Sequence, residues 1–294
     1  MDEHDLPDFP YWKRPQLTEQ TCPTRTLGSW AEFTSVVSDY DRAGIPFAFR
    51  GEANSGWTLT PTLLRVGAAL TPASLLNAEK EAMSVFMAQA HLHLSLGELP
   101  PKGETEFEFE WWSLMQHFGA PTRLLDWTAS AHVAAYFAVE QLPKTDGVIT
   151  VVSTDAVQEN LEDRFTRVGA GVEDVRPNLF NPEDPRAHLL FWDQPTRRSA
   201  RSIAQQGLVS VAGQVWLDHS LLLNIATKGT VPETYKRLRE QNLYPAERWV
   251  IPADQKNNFL HSLRSANIAA HSLSQVSMAS VGQPQRPCGS VVRR

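Results

Sequence analysis

The chain has 294 residues, 42% of them hydrophobic, with nine tryptophans, thirteen phenylalanines and a formal net charge of -6. This content is enough to bury one large core, and the length fits a single domain with an appendage as well as two domains. The acidic balance gives no general attraction to nucleic acid, which calls for a basic face, and no apolar run reaches the length of a membrane span.

The cysteines and the first residues indicate the compartment. Cys22 and Cys288 lie near opposite ends of the chain, and neither belongs to a metal-ligand spacing. Residues 1–20 are acidic, polar and proline-bearing, so they indicate neither a secretion signal nor a lipid anchor. We therefore predict a cytoplasmic protein with no metal site and no membrane partner.

The first elements can be predicted in chain order. Residues 1–27 are predicted to form an arm, because prolines recur through them. Ser29 is predicted to cap a helix, and an alternating apolar strand then ends in Arg50 and Gly51. A glycine at a strand end is typical of backbone that turns or approaches a partner closely. A long helix is predicted to begin after Thr71, with proline in its first turn.

The densest chemistry lies in residues 116–128, between two helical segments. Gly119 and Pro121 are predicted to end the first helix, so the residues that follow should be extended and largely buried. Burying Arg123 and Asp126 costs several kcal/mol per ion unless each charge is paired or hydrogen-bonded. Both side chains therefore need partners.

Two interpretations of this loop stay open. In the first, Arg123 and Asp126 clamp a strand to a helix, and Thr128 or Ser130 caps the next helix. In the second, the loop is one wall of a ligand pocket, and the positive N-terminus of the following helix points at an anion. The sequence of the loop does not separate them.

The rest of the chain predicts an α+β fold. Residues 157–200 are interrupted by prolines and are predicted to be a lid or an irregular connection, and residues 272–294 a disordered tail. Helices before and between scattered strands favour a small central mixed or antiparallel sheet flanked by helices. Three further strands are predicted, at residues 147–153, 208–213 and 249–252, followed by a helix at 253–268.

Five blocks along the chain form a recognisable pattern: Phe-Arg-Gly at residues 49–51, Leu-x-Pro-x-Leu-x-Arg at 59–65, the loop at 116–128, the small-residue helix ending at 136–138, and a Gln-Gln-Gly block at 201–210. Together they resemble the FRG domain family. The resemblance predicts a domain over residues 28–271. FRG domains are known mainly from bacteria and phages, often near defence genes, so a role as a defence or toxin effector is implied.

A second resemblance, to arginine-type ADP-ribosyltransferases, concerns three of these blocks. Those enzymes carry a strand ending in Tyr-Arg-Gly, a strand with Ser-Thr-Ser before a helix, and a third strand with a glutamate. Residues 49–51 resemble the first block and residues 126–130 the second. Gln205 or Gln206 stands where the third block has its glutamate. The resemblance implies an ADP-ribosyltransferase-like fold, with NAD as substrate and a macromolecule as acceptor of ADP-ribose.

The resemblance also implies residue roles. Arg50 would bind phosphate or ribose with its fork of donors, and Gln206 would orient the ribose hydroxyl. Glutamine supplies no charge to a developing oxocarbenium ion, so the enzyme would be slower or would use Glu52 or Asp126 instead. The candidate catalytic residues are Arg50, Gln206 and Asp126, and the candidate nucleotide contacts are Arg50, Gly51, His117, Arg123, Trp127, Thr128, Ser130 and Gln205.

Structural roles compete with these assignments. Arg50 could pair with Asp126 inside the protein, His117 could be a core histidine, and Trp127 could belong to the core. Three functional classes therefore remain open. The first is an ADP-ribosyltransferase or NAD glycohydrolase, and the second is a non-catalytic module that recognises a nucleotide or a protein. The third is a nuclease-like enzyme in which Asp126 and Glu52 hold a divalent ion.

Overall fold

The computed structural model describes residues 22–94, 99–100, 105–167, 189–193, 207–226 and 233–269. The strands are β1 Thr24–Thr26, β2 Phe47–Glu52, β3 Leu124–Thr128, β4 Gly147–Ser153, β5 Leu189–Asp193, β6 Gly207–Ala212 and β7 Ala246–Ile251. The helices are α1 Trp30–Arg42, α2 Thr62–Val66, α3 Pro72–Gln89, α4 Thr105–His117, α5 Ala131–Val139, α6 Thr154–Arg167, α7 His219–Ala226, α8 Glu233–Glu240 and α9 Lys256–Ser265. Short 3-10 turns occupy Ala90–Leu92 and Ala253–Gln255.

These strands form one mixed sheet in the order β1-β7-β4-β2-β3-β6-β5. The β1–β7 pair is parallel, and the other five pairs are antiparallel. The prediction of an α+β fold with a central mixed sheet flanked by helices is confirmed, although the seven strands make the sheet wider than predicted.

Along each strand, successive side chains point alternately to the two faces of the sheet. Phe47 and Phe49 of β2 lie on what we call the first face, where they pack with α1, α5 and α9 in the largest apolar cluster. Ala48 lies on the opposite, second face, where it packs with residues of β3, β6 and α7. Because side chains alternate, Arg50 and Glu52 also lie on the second face.

Two glycines allow α5 to approach the sheet closely. A Cβ atom at Gly51 would lie 1.7 Å from the backbone oxygen of Ala134, and one at Gly147 would lie 2.2 Å from the oxygen of Ala138. Ser130 caps this helix by accepting a hydrogen bond from the Val133 N–H at 3.3 Å. The backbone of α5 therefore rests directly on β2 and β4.

The segments predicted to be irregular contribute to the sheet where they are described. Thr24–Thr26, at the end of the predicted arm, form β1 beside β7. Residues 157–200 include most of α6 and the whole of β5, while the rest of that segment lies outside the described residues. The predicted tail at 272–294 also lies outside them.

A buried carboxylate fastens β1 and α1 to β7. Glu247 accepts hydrogen bonds from Tyr40 Oη at 2.6 Å, Trp249 Nε1 at 2.8 Å and Arg25 Nε at 3.0 Å. Three donors satisfy the charge that burial would otherwise make costly. Within the described ranges, no helix combines the length and apolarity that crossing a membrane would need.

Candidate functional site

The strands β2 and β3 part beside Arg50. Within these described strands only Phe49 and Thr128 pair, whereas β2 pairs with β4 along its whole length. Where Gly51 would face Asp126, the Arg50 guanidinium takes the place of a backbone partner, and its Nη1 donates to the Asp126 carbonyl oxygen at 2.6 Å. Arg50 thus lies in a gap between two strands, with its side chain 19% exposed.

A row of polar side chains runs across the second face from this gap. Arg50 pairs with Thr150 of β4, and Thr150 pairs with Arg248 of β7. Residues that face each other on neighbouring strands share one side of the sheet, and strands lie about 4.8 Å apart. The two arginines are therefore separated by roughly two strand spacings, with a hydroxyl between them.

Glu52 is the carboxylate of this row. Its Oε1 lies 3.4 Å from Arg50 Nε, which is an ion-pair distance, although Arg50 Nε makes no hydrogen bond within the described residues. Burial raises the pKa of the Glu52 carboxyl, while the charges of Arg50 and Arg65 oppose this shift and Asp218 adds to it. The carboxylate that pairs with Arg50, that of Glu52, is therefore buried.

The segment before α2 and the start of α7 lie over the polar row, and we call these two segments the roof of the site. Asp218 accepts from the Ser220 N–H at 2.7 Å and from the Thr60 hydroxyl. Leu59 N donates to Ser220 Oγ at 2.9 Å. These bonds connect two segments that are about 160 residues apart in the chain, and they hold the roof over the polar row.

Between roof and sheet lies a shallow depression of about 220 Å³, a volume that includes space open to solvent. Trp57 stands at its rim with 40% of its surface exposed. The depression is lined by Glu52, Trp57, Thr58, Leu59, Thr150, Ser220 and Arg248. The depression thus combines an aromatic ring, a carboxylate, hydroxyls and a guanidinium.

Arg123 is buried and paired away from this site. Its Nε donates to Glu79 Oε1 at 2.7 Å, and its Nη2 bonds to the other carboxylate oxygen. Nη1 donates to the carbonyl oxygens of Ala212 and Gly213 at 3.3 and 3.1 Å, and the guanidinium lies 4.6 Å above the Trp112 ring. The clamp interpretation therefore describes Arg123, with Glu79 of α3 as its partner.

Asp126 differs from the prediction. The expectation that its side chain is buried is wrong, because the residue is exposed, while Leu125 and Trp127 on either side are buried. Alternation along β3 turns Asp126 to the face opposite its two apolar neighbours. Arg50 binds the Asp126 carbonyl oxygen and has Glu52 as its carboxylate partner, so the proposed Arg50–Asp126 ion pair is not formed.

Trp127 lies in the core of the second face. Its Nε1 donates to Ser210 Oγ at 2.7 Å, and Ser210 Oγ lies 2.8 Å from His219 Nδ1. His219 is fully buried. Burial, together with the nearby Arg50 charge, lowers its pKa to about 3, so the imidazole is neutral at physiological pH.

The low pKa of His219 predicts that the folded protein loses stability at acidic pH. An unfolded histidine titrates near 6.5, whereas His219 in the folded protein titrates near 3, so below pH 6.5 the unfolded state binds the extra proton. Stability should therefore fall by about 2 kcal/mol between pH 7 and pH 5. Urea unfolding at the two pH values measures the loss, and His219→Asn, which cannot titrate, should show less of it. An equal loss in wild type and variant would contradict this assignment.

The other predicted contacts lie at separate places. Thr128 faces the side of the sheet opposite Arg50, and its Oγ1 accepts from Ser130 N at 3.0 Å. Gly51 lies against the backbone of α5. His117 is exposed at the end of α4, with the centroid of its ring 5.4 Å from that of Phe118. Arg50 is thus the predicted site residue whose side chain lies in the polar row.

The predicted third block is only partly described. Gln205 and Gln206 lie outside the described residues, and Gly207, which follows them, pairs with Thr128. Among the described residues, no group of three or more histidine, cysteine, aspartate or glutamate side chains is placed to hold a metal ion. The two carboxylates of the nuclease-like alternative, Asp126 and Glu52, lie on opposite faces of the sheet.

Sequence reasoning missed several residues of the depression, namely Trp57, Thr150, Ser220 and Arg248. Thr150 and Arg248 lie inside strands that were predicted as plain structural elements, and only the pairing of those strands brings them to Arg50. Trp57 carried one signal, since it lies two residues before the Leu-x-Pro-x-Leu-x-Arg block at 59–65.

The chain was compared with protein-family models, curated proteins and solved structures. Residues 46–147 match the family model described as the FRG domain. No curated protein and no solved structure matches the chain. The matched range contains β2, β3 and the α5 helix that packs on Gly51, together with Trp57 and Glu52 of the depression. Residues 46–147 of this chain are therefore an FRG domain.

Proposed function

We propose that this protein binds a nucleotide at Arg50 and acts on NAD as an ADP-ribosyltransferase-like enzyme. One observation supports this most strongly. The three blocks of the resemblance precede or lie on neighbouring strands, β2, β3 and β6, and Phe49, Thr128 and Gly207 are paired in one line across them. Blocks that are far apart in the chain thus meet at one place in the sheet.

The chemistry of Arg50 suits an anionic ligand. Its Nε makes no hydrogen bond to any residue that the structure describes, and the side chain keeps part of its surface in solvent. A guanidinium presents a rigid fork that binds phosphate oxygens through two parallel hydrogen bonds. Arg248, two strands away, adds a second positive charge on the same face.

The reaction would break the bond between the nicotinamide nitrogen and the ribose carbon. Nicotinamide leaves with the electron pair, water or an acceptor hydroxyl forms the new bond at that carbon, and a proton is released. Positive charge develops on the ribose in the transition state, so a nearby carboxylate lowers the barrier. Glu52 would supply this charge beside Arg50, and Gln206 would orient the ribose hydroxyl.

Arg50→Ala tests the proposal directly. We expect the affinity for NAD to fall roughly 10- to 100-fold, because charge-assisted hydrogen bonds contribute about 1.5–3 kcal/mol, and nicotinamide release to fall with it. Calorimetric binding and chromatographic detection of nicotinamide provide the two readouts. Arg42→Ala, at an exposed position on α1, is the control and should behave like wild type. An unchanged affinity in a folded Arg50→Ala protein would contradict the proposal.

A second candidate is a recognition module that binds the ligand without turnover. The depression is shallow and open to solvent, which favours it, because enzymes of this kind usually exclude water from the reacting groups. Binding of NAD without nicotinamide release would support this candidate over the enzyme. The defence or toxin role implied by the resemblance can be tested by growth of bacteria that express the wild type or Arg50→Ala.

A further inference from the structure

Below its rim, the depression beside Arg50 is lined by buried polar side chains. Trp57 at the rim is 40% exposed, whereas Thr150 and Ser220 are 2% exposed and Glu52 is 7% exposed. The volume of about 220 Å³ includes open solvent, and the closed part of the depression has room for about one water molecule. The bottom of the depression is therefore too small for a ring or a sugar, and its size fits water.

The groups at the bottom can hold a water molecule. Thr150 offers a hydroxyl, which can both donate and accept. Ser220 Oγ accepts from Leu59 N at 2.9 Å, which leaves the hydroxyl hydrogen to donate. Glu52 offers a carboxylate with several acceptor positions. A water held among these three side chains would have about three hydrogen-bond partners, the number typical of buried waters.

Glu52 is suited to take a proton from such a water. Burial raises the pKa of its carboxyl, and a carboxylate whose pKa lies closer to the working pH is a stronger base. The charges of Arg50 and Arg65 oppose this shift and favour the ionised form that a base needs. The depression thus places a basic group beside a space of the size of its proton donor.

The position of the depression relates it to the proposed ligand. Thr150 is the direct cross-strand neighbour of Arg50, so the depression begins one strand away from the proposed phosphate contact. The reacting carbon of NAD belongs to a ribose that carries a phosphate, and it therefore lies within a few ångströms of that phosphate. Resting on the proposed function, we infer that the depression seats the attacking water and that Glu52 accepts its proton, which makes water the acceptor and the protein an NAD glycohydrolase.

In this reaction the water oxygen forms a bond to the ribose carbon while the bond from that carbon to the nicotinamide nitrogen breaks. Nicotinamide leaves with the electron pair of the broken bond, and one proton of the water passes to the Glu52 carboxylate and then to solvent. The products are ADP-ribose, nicotinamide and a proton. Because the depression opens to solvent, another water can enter after each turnover.

Competition between water and methanol tests the size of the seat. Methanol attacks the same carbon wherever it has access, but its methyl group does not fit beside buried lining residues. The wild type in dilute methanol should therefore form ADP-ribose with almost no methyl ADP-ribose, as measured by mass spectrometry. Thr150→Ser removes one methyl group from the lining, so the methylated fraction should rise roughly 10-fold or more. Methyl ADP-ribose formed by the wild type in proportion to the methanol concentration would overturn the inference.

Two isosteric variants test the hydrogen bonds to the water. Thr150→Val keeps the shape but removes the hydroxyl, so hydrolysis should slow roughly 2- to 10-fold while the affinity for NAD is unchanged. Glu52→Gln keeps the size but cannot take a proton, so hydrolysis should slow roughly 100- to 10,000-fold. Thr26→Val, at an exposed position on β1, is the control and should behave like wild type. Hydrolysis at the wild-type rate in either lining variant would contradict the water seat.

The two proposals fail in distinguishable ways. If nicotinamide is released while labelled ADP-ribose is found attached to protein and not free, the water seat is wrong and the NAD-cleaving function stands. If no nicotinamide is released by the wild type, both proposals are overturned. Thermal unfolding of each variant shows whether a loss of activity reflects the site or the fold, and the methanol competition in the wild type requires no variant.

Discussion

Replacing Arg123 by alanine should lower the free energy of unfolding by about 3–5 kcal/mol, the usual cost of leaving one member of a buried ion pair alone. Glu79 would remain buried with no guanidinium to accept from, and the carbonyl oxygens of Ala212 and Gly213 would lose their donor. Urea unfolding followed by tryptophan fluorescence measures the change.

A double variant separates the charge from the packing. Arg123→Met combined with Glu79→Leu replaces both charges by apolar side chains of similar length, and such exchanges are often neutral or stabilising. We expect it to recover most of the stability that Arg123→Ala loses. A loss below about 1 kcal/mol for Arg123→Ala would match an exposed ion pair and contradict the buried clamp.

Gly51→Ala should destabilise the protein by about 3 kcal/mol or more, because overpacking against backbone cannot be relieved by a rotamer change. The new Cβ would lie 1.7 Å from the oxygen and 2.7 Å from the carbonyl carbon of Ala134, so α5 would have to move away from β2. Circular dichroism during thermal unfolding gives the size of the effect.

Gly28→Ala is the matched control for this substitution. A Cβ at Gly28 would meet only the side chain of Glu32, at 3.7 Å, so its effect on stability should be small. Near-equal midpoints for Gly51→Ala and wild type would show that α5 does not rest on β2 as described.

The expected effects of Gly51→Ala and Arg50→Ala assign different roles to neighbouring residues of the Phe-Arg-Gly motif. Phe49 packs on the first face, and Gly51 admits the backbone of α5. Arg50 points to the other side of the sheet and closes the gap beside Asp126. Two residues of the motif therefore serve the packing, and the middle one keeps its side chain partly exposed on the second face.

Much of the local structure could be predicted from the sequence. Ser29 caps its helix and Thr71 with Pro72 begins α3 as predicted, and of the two predicted alternatives, Thr128 and Ser130, it is Ser130 that caps α5. The strand predicted at residues 147–153 is observed with the same bounds. Such signals are local. A capping side chain accepts a hydrogen bond from a backbone N–H about three residues later, and the side chains of a strand alternate between its two faces with a period of two residues.

The candidate site was only partly predictable. The need of Arg123 for a partner followed from the cost of burying a charge, but its partner Glu79 lies 44 residues away in the chain. Asp126 was predicted to be buried, and alternation on β3 turned it to the exposed side instead. Gln205 and Gln206 remain predictions, since they lie outside the described residues.

The sequence by itself determined the helix starts at Ser29 and Thr71 and the period that places Phe49 and Arg50 on opposite faces. Only the tertiary structure decided which strands became neighbours of β2, and so brought Thr150 and Arg248 into line with Arg50. The physical reason is that caps and alternation depend on residues a few positions apart, whereas register between distant strands depends on the simultaneous burial of a whole face.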